Sequence, residues 1–464
     1  MKRIFISILT LSLLVNSSCK KFIDVNTDPN VPTDVGEPLI LSPVELNISH
    51  VVSSGFDFAI VNHWMQNVSL NQPIPNTGTY LLFNADVDGD WSNLYTTCLN
   101  NLQQLIKKAE AGGNSSYAGI GKVLTAFSIG TGTDLWGDMP YSQAFKGAEV
   151  FRPSYDKQED IYKAIQSLLD AAIANLNSAG GKAPGSDDFF YGGDLAKWKK
   201  LAYTLKARYY MHLTNAPGYT AAAQADLALA ALQNGMQSNS DDLSFAYPGS
   251  AGQENPLFGT FHPVSTLMLS EHLVESFKTR NDPRLTIMVA PAVTTGLYTG
   301  LPIGTPTSGF YQLESYSRPG SFYGGAAANL YIVNYTEALF LKTEATLIKS
   351  GFAAASPIYQ SAVKAHMDKL GVSNTDANTY MANRVLTNAN ALSLIMEEKS
   401  VANYLSLENY NDWRRTGYPA LVKVPNGLVS EIPRRFLYPE IEKISNPQAI
   451  QSATLINRVW WDKP

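Results

Sequence analysis

The chain has 464 residues, 45% of them hydrophobic and 16% charged, with a formal net charge of −5. That supplies ample apolar material for a large packed body, and a mildly acidic balance with no basic run excludes a nucleic-acid binder. Only two cysteines occur, Cys19 and Cys98, which excludes a disulfide-stapled framework.

Lys2 and Arg3 precede an apolar run from Ile4 to Val15, small polar residues follow, and Cys19 comes next. This is the pattern of a signal peptide over residues 1–18, and its apolar centre is too short to span a bilayer. A cysteine directly after it predicts a lipoprotein, with Cys19 as the lipidation site. Cys98 then has no disulfide partner, and stability must come from packing. Residues 19–43 contain Pro29, Pro32, Pro38 and Pro43. They show no helical period and predict an extended tether.

From residue 44 the pattern is mostly helical. Trp91, Leu94, Tyr95, Leu99, Leu102, Leu105 and Ile106 form a stripe of 3.6-residue period and predict a helix over Trp91–Ala111. Further helices are expected over Tyr117–Thr131, ending in glycines, then Asp156–Asn177, Asp194–Thr214 and Ala221–Asn234. Three more are expected over Asn334–Ser350, Ser356–Leu370 and Asn390–Leu407. Helix pairs of this length joined by short turns predict stacked hairpins of the tetratricopeptide type. Three stretches break the pattern: Gln66–Asp90, Leu243–Thr266 and Val289–Ala328. The last is forty residues rich in Gly, Pro, Thr and Tyr, and a loop of that length in a compact body is functional or disordered. Its aromatic content argues for function.

Several motifs occur in order. They are DLWGDMPYSQAF (Asp134–Phe145), FRPSYDKQEDIY (Phe151–Tyr162), YGGDLAKWKKLAYTLKARYYMHL (Tyr191–Leu213), NDPRL (Asn281–Leu285), NYTEALFLKTEA (Asn334–Ala345), DWRRTGYP (Asp412–Pro419) and PRRFLYP (Pro433–Pro439). With CKKFIDVNTDPN at the start, the chain resembles the SusD/RagB family, and within it the second SusD-like branch. The resemblance implies a mainly α fold: one SusD-like helical domain over 44–464 on a tetratricopeptide-like scaffold, with loop insertions near 243–266 and 289–328. It implies a cell-surface lipoprotein of the outer membrane that passes oligosaccharides to a SusC-type TonB-dependent transporter. Relatives of RagB suggest peptide cargo as the alternative. The charged residues within the motifs read as structural, because buried charges must be paired. Lys206 and Arg208 can meet carboxylates, Glu337 and Glu344 can meet cations, and Trp136 packs the turn that follows its helix.

No GxSxG, HExxH, GxGxxG or P-loop pattern occurs, and no two of the six histidines stand at ligand spacing. No catalytic residue, metal or cofactor is therefore expected. Asp86, Asp88 and Asp90 imitate the start of a calcium loop, but Trp91 replaces its glycine and Thr97 its final glutamate. They read as a polar turn capping the next helix. Binding is expected through aromatic rings stacked on sugar faces. The candidates are Trp64, Tyr80 and Phe83 from the first loops, and Tyr298, Tyr311, Tyr316, Arg318 and Tyr323 from the long insertion. Irregular loops beyond a scaffold have little core to cover such rings.

Overall fold

In a computed structural model of the chain, residues 35–262, 264–305 and 313–463 are described. The signal peptide, Cys19, the tether up to residue 34 and Tyr311 lie outside the described residues.

The first helix, α1 (Pro38–Asn47), begins inside the segment expected to be extended. Proline suits a first helical turn, where its missing N–H leaves no bond unmade, so Pro38 opens the helix instead of barring it. α1 continues into a π-helical turn, Ile48–Val52, and α2 (Phe56–Trp64) follows. The helix expected from Trp91 starts at Asp88, passes through a second π-helical stretch (Asn93–Leu99) and finishes as α3 (Asn100–Ala111). α4 (Ser115–Trp136) runs past the glycines expected to end it. Those glycines are contact points instead. A Cβ would collide with Leu176 at Gly119, with Ile106 at Gly121, with Tyr209 at Gly130 and with Leu94 at Gly132. Glycine allows this close approach, and α4 is buried on nearly all sides.

The scaffold is completed by α5 (Gln158–Ser178), α6 (Leu195–His212), α7 (Ala221–Leu232), α8 (Tyr335–Leu370), α9 (Ala391–Ala402) and α10 (Glu408–Thr416). Each helix from α4 to α9 packs on the one before it, which is the stacked-hairpin arrangement expected. α8 is two helices joined at Gly351, whose φ of 78° and ψ of 176° suit only glycine. The two halves match the two helices expected there.

Three two-stranded antiparallel sheets tie the loops together. β1 (Val68–Leu70) pairs with β3 (Leu267–Leu269), β2 (Leu243–Phe245) with β6 (Leu330–Val333), and β4 (Val289–Ala290) with β5 (Arg318–Pro319). Each pair joins segments far apart in sequence.

The motif charges are buried and paired. Arg208 grips Glu337 through Nε at 2.6 Å and Nη2 at 2.7 Å. Arg415 binds Glu344 and Asp412, and Lys399 also reaches Asp412; Lys206, by contrast, meets the exposed carboxylate of Asp170 at the surface. Arg284 sits between Asp282 and Glu398, each at 2.6 Å. Arg434 binds Asp462 with Nε at 2.8 Å. Breaking such a buried pair costs about 3–5 kcal/mol, so these residues hold helices in register. The aspartates of the calcium-like stretch hold backbone: Asp86 accepts from the Phe83 amide at 2.7 Å and Asp88 from the Ile441 amide at 3.1 Å.

Candidate functional site

α1 and its π turn supply the floor of an open cleft. Ile48 and Val52 stay in the core while His50 is exposed beside them. π turns recur at functional sites because the extra residue re-aims the side chains around it. The second π stretch adds Thr97 to the same cleft.

One wall is aromatic. Phe189 lies on the 185–193 turn, where its amide donates to Glu45 Oε2 at 2.6 Å. Ser42 Oγ donates to the Asp187 carbonyl at 2.7 Å, so α1 grips this turn twice. Burial, reinforced by nearby Asp188, raises the Glu45 pKa well above the usual carboxylate value. Phe245 ends β2, and strand alternation places Tyr247 on the same side. Their ring centroids are 4.8 Å apart, and Phe189 meets Phe245 edge-on at 5.8 Å. The Tyr247 hydroxyl shares a 2.7 Å hydrogen bond with Ser49 Oγ.

The other wall is the 248–262 loop, and Asn255 fixes it. The Asn255 side chain accepts from the Leu257 amide at 2.8 Å, capping the short helix Pro256–Thr260. Its Nδ2 donates to the carbonyls of Tyr323 at 3.2 Å and Ala328 at 3.0 Å. The long insertion therefore braces this loop from behind.

The cleft has two lobes. The first, of about 780 Å³, is lined by Asn47, Phe189, Phe245, Tyr247 and Gln253. The second, of about 610 Å³, is lined by Ser54, Phe258 and His262. His50, Val51 and Glu254 line both and form the waist between them. Phe189 is 47% exposed and Phe258 36%, one in each lobe. Partly exposed rings beside amide, imidazole, hydroxyl and carboxylate groups suit a polar ligand that carries apolar faces. Among the described residues, no group of three or more His, Cys, Asp or Glu is placed to hold a metal ion.

Two other spaces differ in kind. A trough of about 710 Å³ is lined by Glu271, Glu275, Arg280, Arg384, Glu397 and Lys423, with no Phe, Tyr or Trp among its described lining. A void of about 50 Å³ beside Asp134, Arg208 and Glu408 has room for water and not for a sugar.

A family described as "Starch-binding associating with outer membrane" matches residues 29–439. The chain belongs to this second SusD-like family. Its fold is shared with a SusD/RagB family protein from Bacteroides thetaiotaomicron, at 25% identity and a TM-score of 0.79, covering 92% of this chain and 99% of that one. A chitin-binding SusD homolog from Flavobacterium johnsoniae is similar at 23% identity and a TM-score of 0.80, covering 92% and 98%. A further chitin-binding protein is similar at 24% identity and a TM-score of 0.80, covering 92% and 100%. No curated protein matches the chain. Among the described residues of this SusD-like chain, no helix is long and apolar enough to cross a membrane.

The SusD-like fold covers several rings that the loop argument left open. Trp64 is 1% exposed, with Tyr410 at 5.7 Å and Phe436 at 5.2 Å. Tyr80 is equally buried, and its hydroxyl accepts from the Val424 amide at 3.0 Å. Tyr323 shares a 3.2 Å hydrogen bond with His366 and meets the Tyr404 ring at a tilt, centroids 4.8 Å apart. These three offer no open face: Trp64 ends helix α2 and packs on the C-terminal third, and Tyr80 and Tyr323 are covered by partners from the same third of the chain. Phe83 is 60% exposed, while Tyr298, Tyr316 and Arg318 are half-buried. The Ser317 amide donates to the Thr299 carbonyl at 2.7 Å, which ties together the two segments that carry Tyr298 and Tyr316. None of these candidates lines the two-lobed cleft. The cleft residues come from segments scattered between 43 and 262, and no motif joins them. Only the spacing of Phe245 and Tyr247, two apart where a strand ends, hinted at a shared face.

Proposed function

We propose that this SusD-like protein captures oligosaccharides in the two-lobed cleft. Cys19 anchors it to the outer membrane by lipid, on the cell surface, and it hands its cargo to a SusC-type TonB-dependent transporter. The reading is of binding without bond cleavage. One observation carries it: Phe189 and Phe258 are partly exposed in a cleft whose remaining polar groups suit hydroxyls. The family's description as starch-binding and the chitin-binding relatives of the same fold point the same way. Phe83, Tyr298, Tyr316 and Arg318 are assigned to an outer contact at most, because they lie off the cleft.

The test is a glycan array on the soluble body, with short peptides printed beside the sugars. A glycan signal is expected, and Phe189→Ala with Phe258→Ala together should weaken it at least tenfold without changing the melting temperature. Signal on the peptides alone would replace sugar with peptide as cargo. Full-strength sugar binding by the folded double variant would move the site elsewhere.

A further inference from the structure

Resting on the reading of the cleft as the glycan site, we infer that it selects uncharged linear oligosaccharides long enough to cross the waist, and that Glu254 is the residue that turns away acidic sugars. Three observations carry this.

The first is continuity. The lobes are not separate sites, since His50, Val51 and Glu254 line both. Each lobe alone falls in the range of about 300–1,000 Å³ typical of a site for a drug-sized molecule. Each therefore takes more than a single ring, and a chain laid through both passes over the waist.

The second is the distribution of rings. Phe189 lines only the first lobe and Phe258 only the second. A short ligand reaches one of them. A longer chain stacks on both and gains the second contact without a second association cost.

The third is charge. Neither lobe has a lysine or arginine among its described lining, and the single carboxylate, Glu254, stands at the waist. It is half-buried, and its Oε2 accepts from the Gly252 amide at 2.7 Å, which fixes the carboxylate in place. A uronate or sulfate crossing the waist meets a like charge with no cation to pair with, and discrimination of this kind comes from an unfavourable contact with the wrong ligand. The separate trough differs in this respect, since Arg280, Arg384 and Lys423 line it.

Isothermal titration of the lipid-free body at pH 8 tests this, using maltohexaose, cellohexaose and chitohexaose, their disaccharides, and the C6-carboxylate form of each hexasaccharide. At least one neutral hexasaccharide should bind. Its disaccharide and its C6-carboxylate form should each bind at least tenfold more weakly. Phe189→Ala and Phe258→Ala should each lower hexasaccharide affinity at least threefold while leaving far-UV dichroism unchanged. Glu254→Gln keeps an acceptor for the Gly252 amide and should shrink the neutral-to-acidic affinity ratio at least threefold. Equal binding of the neutral and acidic forms overturns the selectivity, as does a ratio unmoved by Glu254→Gln. A disaccharide as tight as its hexasaccharide overturns the crossing of the waist. Failure of every glycan, neutral and acidic, overturns the parent reading and this inference with it.

Discussion

Trp136 closes the end of α4 against the C-terminal segment. Its ring meets Trp91 at 5.3 Å and Phe436 at 5.5 Å, both edge-on, and Nε1 donates to the Leu437 carbonyl at 3.0 Å. A tryptophan placed this way is structural, as its motif suggested. Trp136→Ala should cost on the order of 3–5 kcal/mol of stability, read by chemical denaturation, while the folded fraction keeps its ligand affinity. Lost affinity at an unchanged melting temperature would place Trp136 in the site. The same reasoning explains which rings were misread. Helical stripes announce buried aromatics through their period, and Trp91 was legible that way. Tyr80 sits in a loop and Tyr323 in a single helical turn, Ser321–Gly324, and their partners, Val424 and His366, come from far along the chain. No local pattern records contacts of that kind. Cys98 lies in the core. It is buried, its thiol pushed up to about 12 by desolvation, which leaves it chemically quiet.

At the scale of elements, the helices were legible because each carries an apolar face, but their interruptions were not. The π turns in Ile48–Val52 and Asn93–Leu99 leave no mark on a 3.6-residue stripe, and both feed the cleft. Gly130 and Gly132 read as stops because glycine often ends a helix. Here they serve close packing, which depends on the neighbour and not on the helix itself. The contact between α1 and the 185–193 turn yields a prediction of its own. Glu45 binds its proton more tightly when folded than when unfolded, chiefly through burial and then through Asp188. Its contribution to stability is fully present below the unfolded carboxylate pKa, near 4.5. It is lost as pH rises towards the folded value, because the unfolded chain releases that proton first. Glutamine copies the protonated form and does not titrate. The melting temperature of Glu45→Gln relative to wild type should therefore climb between pH 4 and pH 8, followed by calorimetry. A difference constant across that range would mean that Glu45 is charged in the folded state.

For the molecule as a whole, the fold was the more legible part and the cleft the less. Stacked hairpins follow from helix length, short turns and the ordered motifs, whose charges are the buried pairs described above. The cleft is made by α1, a turn at 189, one strand end and the 248–262 loop, brought together only by tertiary packing. Attachment can be tested separately from binding. Cys19→Ala should move the protein from the membrane fraction to the soluble one and abolish incorporation of labelled palmitate, with glycan affinity of the body unchanged. Continued palmitate labelling in that variant would disprove the anchor.

The waist at His50, Val51 and Glu254 has a kinetic consequence. A chain held in two lobes need not leave in one event. One half can lift away while the other stays seated, and it then rebinds rapidly because its local concentration is high. A competing acceptor that seizes the lifted half blocks that return, so departure speeds up in the presence of a receiver. On the proposed reading of the cleft, cargo is then exchanged without ever being free in solution, and tight capture and prompt release become compatible.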